Sequence, residues 1–280
     1  MTDLPDGLVV VSKHECPTCV MVAPVLSQLE KAGAPLTVIS QDDPAFPEGV
    51  SKLIDDTTLE RSYRLNIETV PTLIRVKDGQ EVERIVGWNR DAWSKFTGFD
   101  SIGDGLPAHR PGCGAKNVDP GMPETLAVRF GETGMKARRV ELAPLEDEME
   151  ACFDRGWSDG LPVIPPTEVR VFRMLKGTKR KPDEVIGKVP PNLAECTVEK
   201  VAINAVLAGC KPEYMPVVLA AVEAALMDEF CMHGLLATTW FSGPVVIVSG
   251  PIAKQIGMNS AGNALGQGNR ANATIGRALQ

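Results

Sequence analysis

The sequence predicts an α/β protein of two domains: a three-layer α/β/α N-terminal domain and an α+β C-terminal domain. Three observations carry this expectation. Buried-strand runs alternate with helical periodicity through the first hundred residues. The chain has 280 residues, against ~150 for an average domain. A stretch dense in Gly, Pro and Asp, Asp100 to Met122, divides it. The expected boundaries are residues 1–99 for the first domain, 100–123 for a linker and 124–280 for the second domain.

Each element of the first domain has a local reason. Leu8 to Ser12 (LVVVS) is a continuous apolar run, the pattern of a strand buried on both faces. From Pro17 to Ala32, Val20, Ala23, Val25, Leu26 and Leu29 recur at helical spacing. Leu36 to Ser40 reads as a second buried strand, and Gly49 to Leu65 as an amphipathic helix. Thr72 to Val76 and Val82 to Val86 flank Asp78-Gly79, a hairpin signal. Asn89 to Phe99 reads as a closing helix capped by Asn89.

The second domain reads as two strands within Thr125 to Leu142, then an acidic helix over Pro144 to Phe153. A proline-rich loop leads to a helix capped by Thr167. Two apolar helices, Thr197 to Ala208 and Pro212 to Met227, form a pair. Pro244 to Ser249 (PVVIVS) reads as a buried strand, Met258 to Gly268 as a Gly/Asn-rich loop, and Ala271 to Gln280 as the start of a helix.

Composition bounds the function. With 44% hydrophobic and 23% charged residues the chain can build a core. A net charge of −7 argues against nucleic-acid partners and against docking to anionic membranes. No run of ~18 apolar residues predicts a membrane span. The acidic start Met1-Thr2-Asp3-Leu4-Pro5-Asp6 lacks the basic and apolar parts of a secretory signal, so a cytoplasmic location is expected. Seven cysteines, an odd number in a reducing compartment, argue against a disulfide framework. No metal and no cofactor is expected.

The sharpest motif is Cys16-Pro17-Thr18-Cys19, which follows a buried strand and opens a helix. Free N–H groups and the helix dipole at that position favour thiolate over thiol. Pro17 suits the first helical turn, where its missing N–H costs nothing. Cys16 is the candidate nucleophile and Cys19 the candidate resolving thiol. The competing readings are two idle thiols or a zinc half-site, and the latter lacks a second Cys-x-x-Cys.

With Thr69-Val70-Pro71-Thr72 immediately before a strand, residues 7–99 resemble the thioredoxin/glutaredoxin superfamily. The resemblance implies a cis-proline at Pro71 facing the dithiol, with Val70 presenting backbone groups to a cysteine-containing substrate. Pro17, Thr18, Val70 and Pro71 are therefore candidate substrate-binding residues. The chain departs from thioredoxin in His14-Glu15 before the dithiol, in the Pro-Thr dipeptide, and in lacking the early β-α unit. His14 would stabilise the Cys16 thiolate and Glu15 would oppose it.

Trp157-Ser158-Asp159, with the loops Gly257 to Gly266 and Arg270 to Arg277, resembles a bacterial family that accompanies small proteins bearing a selenocysteine- or cysteine-Gly-Ser-Cys motif. The resemblance covers residues 150–280 and implies a link to thiol or selenol redox chemistry. The residues themselves suggest a pocket. Trp157 offers a wall, Ser158 and Asp159 polar groups, Asn259 and Asn263 amides, and Arg270 a fork for a carboxylate or phosphate. Turn and capping roles are the bland alternative. His233, beside Cys231, is a candidate base or ligand, or simply part of a turn. Cys113 sits in the expected linker, where it could exchange with Cys16 and Cys19 or stand as an exposed thiol.

Three functions follow. The leading one is a thiol-disulfide oxidoreductase delivering electrons to its fused domain or to a thiol partner protein. The second is a small-molecule enzyme in the C-terminal domain, acting on an anionic substrate with the first domain as electron donor. The third is a non-catalytic docking module. The helix at 271–280 has no closing cap, so the second domain reads as incomplete, and a homo-oligomer or a complex with another chain is expected.

Overall fold

The computed structural model describes residues 4–240 and 242–280. It falls into two compact units, Met1–Gly131 and Glu132–Gln280. The class is α/β, and none of the described helices is long and apolar enough to cross a membrane.

The first unit opens with β1 (Gly7–Ser12), α1 (Pro17–Lys31), β2 (Leu36–Ser40), β3 (Leu53–Asp55) and α2 (Glu60–Arg64). It continues with β4 (Thr69–Val70), β5 (Thr72–Lys77), β6 (Gln80–Val86), β7 (Trp88–Asn89) and α3 (Arg90–Thr97). The five-stranded sheet has the order β3-β2-β1-β5-β6. β1, β2 and β3 run parallel, and β5 pairs antiparallel with both β1 and β6. Alternation along β1 supplies both faces of the core. Leu8 and Val10 pack with Val22, Leu26 and Leu29 of α1 and with Trp93 and Phe96 of α3. Val9 and Val11 pack on the opposite side with Ile39, Ile67, Cys16 and Cys19.

Several local readings are corrected. The helix expected over Gly49 to Leu65 is instead the edge strand β3 followed by the short α2. The cause is Asp56, only 1% exposed, whose carboxylate accepts the N–H groups of Arg61 and Ser62 and the Ser62 hydroxyl. That caps a new helix rather than continuing an old one. β3 joins β2 in parallel, Val38 opposite Leu53, so the edge of the sheet is supplied after β2 in sequence.

The segment read as a linker, 100–123, is packed into the first unit. Ile102 is buried, and β8 (His109–Arg110) pairs with β7, Trp88 opposite Arg110. The Trp88 indole N–H donates to the Pro107 carbonyl at 2.7 Å. Next come β9 (Cys113–Gly114), a 3-10 turn (Lys116–Val118) and α4 (Met122–Phe130). Buried Asn117 donates to the Ile67 carbonyl and accepts from Gln41 Nε2 at 3.0 Å, and Gln41 in turn donates to buried Ser62. α4 buries Leu126 and sets Phe130 against Tyr63. The two strands expected over Thr125 to Leu142 do not form: α4 takes the first part and the remainder has no strand partner.

The second unit contains α5 (Glu148–Asp154), α6 (Glu168–Leu175), the antiparallel hairpin β10 (Val185–Val189) and β11 (Ala194–Thr197), and α7 (Val198–Leu207). α8 (Met215–Ala225), α9 (Met232–Ala237), α10 (Pro251–Gln255) and α11 (Arg270–Arg277) follow. Its core is helical: Val171 and Met174 of α6, Val201, Ala202 and Ala205 of α7, Met215 and Val218 of α8, and Ala271 and Ile275 of α11. Thr167 caps α6 as expected, accepting from the Arg170 N–H. The strand expected at Pro244 to Ser249 is absent. Val245 and Ile247 are 74% and 89% exposed, with no partner strand to pair with among the described residues.

Candidate active site

The site begins with the turn from β1 into α1. The backbone N–H groups of His14 and Glu15 donate to the Asp42 carboxylate at 2.7 and 3.0 Å, which holds the approach to the helix. Cys16 is the N-cap of α1, in extended conformation, and its sulfur accepts the Cys19 N–H at 3.3 Å. Pro17 occupies the first helical turn and is exposed, whereas Cys16, Thr18 and Cys19 are buried. The His14 ring packs on Phe46, and Glu15 pairs with Lys116 at 2.8 Å.

These contacts set the two thiols apart. A hydrogen bond from the Cys19 thiol, opposed by burial and supported by the Cys113 thiol and the N–H groups of Cys19 and Thr18, brings Cys16 down to about 5. Burial pushes Cys19 well above the ordinary thiol range, and its hydrogen bond to Cys16 adds to that. Cys16 is thus a thiolate at neutral pH beside a thiol that keeps its proton.

Opposite the dithiol, the Val70–Pro71 peptide is cis. The Val70 carbonyl oxygen lies 3.5 Å from Cys16 Sγ, and the Pro71 carbonyl accepts the Gly87 N–H at 2.8 Å. β4 pairs antiparallel with β9, so that Thr69 faces Gly114 and Val70 faces Cys113. Cys113, partly exposed, brings its sulfur to 2.7 Å from Cys16 Sγ. Burial, then the hydrogen bond to Cys16, raises its pKa. The Thr18 hydroxyl donates to the Pro111 carbonyl at 2.8 Å. Sequence reasoning missed Gly112. A Cβ there would lie 2.4 Å from Thr69 Cγ2 and 2.7 Å from the Val70 carbonyl oxygen, so only glycine lets β9 approach this closely.

Two of the four residues expected to bind substrate therefore hold one stretch of the chain's own backbone, 111–114: Val70 by strand pairing and Thr18 by its hydroxyl. Among the described residues no group of three or more His, Cys, Asp or Glu side chains is arranged to hold a metal ion.

In the second unit the expected residues do not converge. Trp157, Ser158 and Asp159 line a cavity of about 1110 Å³, but Asn259, Asn263, Arg270 and His233 do not. Asp159 is held bidentately by Arg277 at 2.6 and 2.7 Å, which keeps its carboxyl at about 2. Arg277 also donates to the carbonyls of Leu161 and Pro162. The Ser158 hydroxyl donates to the Leu161 carbonyl at 2.6 Å. Asn259 and Asn263 bond the backbone of their own loop, at Gly262 and Gln267. Arg270 donates to the Gly209 carbonyl at 2.9 Å, and His233 is exposed on α9. These are turn, clamp and surface positions. Arg277, the centre of the clamp, was not among the expected site residues.

Comparison with known proteins agrees with the geometry of the first unit. The family described as "TraF: F plasmid transfer operon protein" matches residues 5–87. Thioredoxins of Mycobacterium bovis and Mycobacterium tuberculosis are 41% identical over 72 residues, which is 26% of this chain and 53% of each relative. The chain thus spans about half the length of the curated relatives it matches. The N-terminal domain is thioredoxin-like.

Proposed function

We propose that this thioredoxin-like domain is a thiol-disulfide oxidoreductase with Cys16 as attacking thiolate and Cys19 as resolving thiol. The observation that carries the reading is the Cys16 sulfur at the N-cap of α1, held at about 5 beside a protonated Cys19. The Cys16 thiolate attacks one sulfur of a substrate disulfide. That S–S bond breaks, one substrate thiolate leaves, and a mixed disulfide remains on Cys16. Cys19 then gives up its proton and attacks Cys16 Sγ, releasing the second substrate thiolate. Two electrons have passed to the substrate, and the chain holds a Cys16–Cys19 disulfide. Val70 supplies the backbone edge for a cysteine-containing strand, Pro71 shapes that edge, and Pro17 and Thr18 border it.

The partner is a thiol or disulfide protein, or the chain's own second unit. A reducing compartment such as the cytoplasm returns the dithiol to its working state. Exposed Trp240, Val245 and Ile247 support association of the second unit with another chain or a second copy. A small anionic ligand in the second unit is the other reading. It is favoured by a cavity of about 1110 Å³ with Trp157, Arg138, Arg139 and Arg155 in its wall. Calorimetric titration with inorganic phosphate and short dicarboxylates tests that reading, and absence of heat sinks it.

The main reading is tested with the full chain, dithiothreitol as reductant and insulin as disulfide substrate. Cys16→Ser is expected to run at the uncatalysed rate. Turnover retained in that variant overturns the proposal.

A further inference from the structure

The thioredoxin-like site is already filled, and the occupant is part of the same unit. Strand β9 lies along β4 where an incoming strand would pair, with Val70 opposite Cys113. Three further contacts hold it there. Thr18 Oγ1 donates to the Pro111 carbonyl at 2.8 Å, the Ala115 N–H donates to the Glu68 carbonyl at 3.0 Å, and Gly112 leaves no room for a side chain against Thr69 and Val70. Beyond it, buried Ala115 and Asn117 anchor the strand in the core. The sulfur carried by this strand stands 2.7 Å from Cys16 Sγ, against a covalent S–S length of ~2.05 Å. Cys16 itself is 0% exposed, whereas Cys113 is partly exposed.

We propose that Cys113 is a third redox cysteine of this site, an internal substrate that exchanges a disulfide with Cys16 while its strand stays seated along β4. This rests on the oxidoreductase reading and extends it. From the Cys16–Cys19 disulfide, the Cys113 thiolate attacks Cys16 Sγ. The Cys16–Cys19 bond breaks, a Cys16–Cys113 bond forms, and Cys19 takes up the proton that Cys113 gave up. The number of disulfides is unchanged, so no outside oxidant is needed. The same attack on a Cys16–substrate mixed disulfide expels the substrate thiolate. The exchange moves the disulfide from a buried pair to a pair with one reachable sulfur. An external thiolate attacking Cys113 then expels Cys16, the better leaving group because its pKa is the lower. Cys113 is the route by which small thiols reach a dithiol that is otherwise closed. A protein strand gains access to Val70 only when β9 lifts away.

The test equilibrates the full chain in glutathione buffers of graded reduced-to-oxidised ratio. Samples are quenched in acid, alkylated, and mapped by mass spectrometry of tryptic peptides. Cys19→Ser is expected to carry a Cys16–Cys113 crosslink in most molecules. Gly112→Ala, combined with Cys19→Ser, is expected to carry at least tenfold less, with glutathione on Cys16 instead. Cys19→Ala repeats the measurement should the serine disturb folding of the buried position. Glutathione on Cys16 with Cys113 fully alkylated in Cys19→Ser overturns the proposal and leaves the oxidoreductase reading standing. Cys16 fully alkylated at every ratio, in wild type as well, overturns both.

Discussion

Val70 and Cys113 face each other across the β4–β9 ladder, 43 residues apart in sequence, and both reach Cys16: Val70 through its carbonyl at 3.5 Å, Cys113 through its sulfur at 2.7 Å. The backbone edge a disulfide exchanger offers to its substrate is thus covered by the chain's own strand. What holds that strand is a matter of packing and buried hydrogen bonds in residues 100–131, and those can be tested one at a time.

Asn117 is the anchor behind the strand. Asn117→Ala removes the donor to the buried Ile67 carbonyl and the acceptor for Gln41 Nε2. An unmade buried hydrogen bond costs ~1–3 kcal/mol, and an expected loss of ~2 kcal/mol follows. Urea unfolding followed by circular dichroism checks it. A loss below ~0.5 kcal/mol, the usual range for surface changes, would mean that this turn is not part of the core.

The Asp159–Arg277 clamp predicts a fork-specific effect in the second unit. Arg277→Lys keeps the charge but loses the bidentate geometry and the donors to the Leu161 and Pro162 carbonyls. Both side chains are about a quarter exposed, so the expected cost is modest, ~1 kcal/mol. Asp159 has a depressed folded pKa, about 2. Its contribution is complete above the ordinary carboxylate range and is lost as pH falls toward 2. Acid unfolding of wild type and Arg277→Lys should therefore converge near pH 2, and a constant gap would contradict the clamp.

Cys16 predicts the opposite end of the pH scale. Its folded pKa lies near 5 and its ordinary value at 9.0. The unfolded thiol binds a proton that the folded one does not, so reduced-state stability rises with pH between these values. The thiolate contribution is complete above pH 9 and is lost as pH falls through 5. The stability gap between reduced wild type and reduced Cys16→Ala should widen from pH 5 to pH 8, by at most ~1.4 kcal/mol per pH unit. Thermal melts at fixed ionic strength measure it, and a flat gap would contradict the lowered pKa.

Elements with local causes were legible in the sequence. Leu8 to Ser12, Leu36 to Ser40 and the Asp78-Gly79 hairpin declare themselves through period and turn chemistry. Cys16 and Asn89 act as helix N-caps, with the side chain accepting an N–H one turn in. Position, Cys16 before Pro17 at the end of a strand, was enough to find the dithiol. Elements settled by distant partners were not legible. Gly49 to Leu65 has helical periodicity, but β2 takes Leu53–Asp55 as a partner and Asp56 restarts the chain. Pro144 to Phe153 became helix only from Glu148, where Asp147 caps it. Pro244 to Ser249 has strand composition and no strand to pair with. Composition marked 100–123 as a loop, which most of it is, but not where it lies. Its place depends on contacts such as Thr18 with Pro111, 93 residues away. Arg277 and Asp159 are separated by 118 residues, and no spacing rule joins them.

The central claim is that Cys16 is a helix-capped thiolate built for exchange, and its ionisation tests that most directly. The ultraviolet absorbance of thiolate is followed from pH 3.5 to 10 in the reduced full chain, with the profile of reduced Cys16→Ala subtracted. The expected difference has a midpoint near 5 and is level from about pH 6.5 to 8. A midpoint near ~8.5, that of an ordinary free thiol, would contradict it.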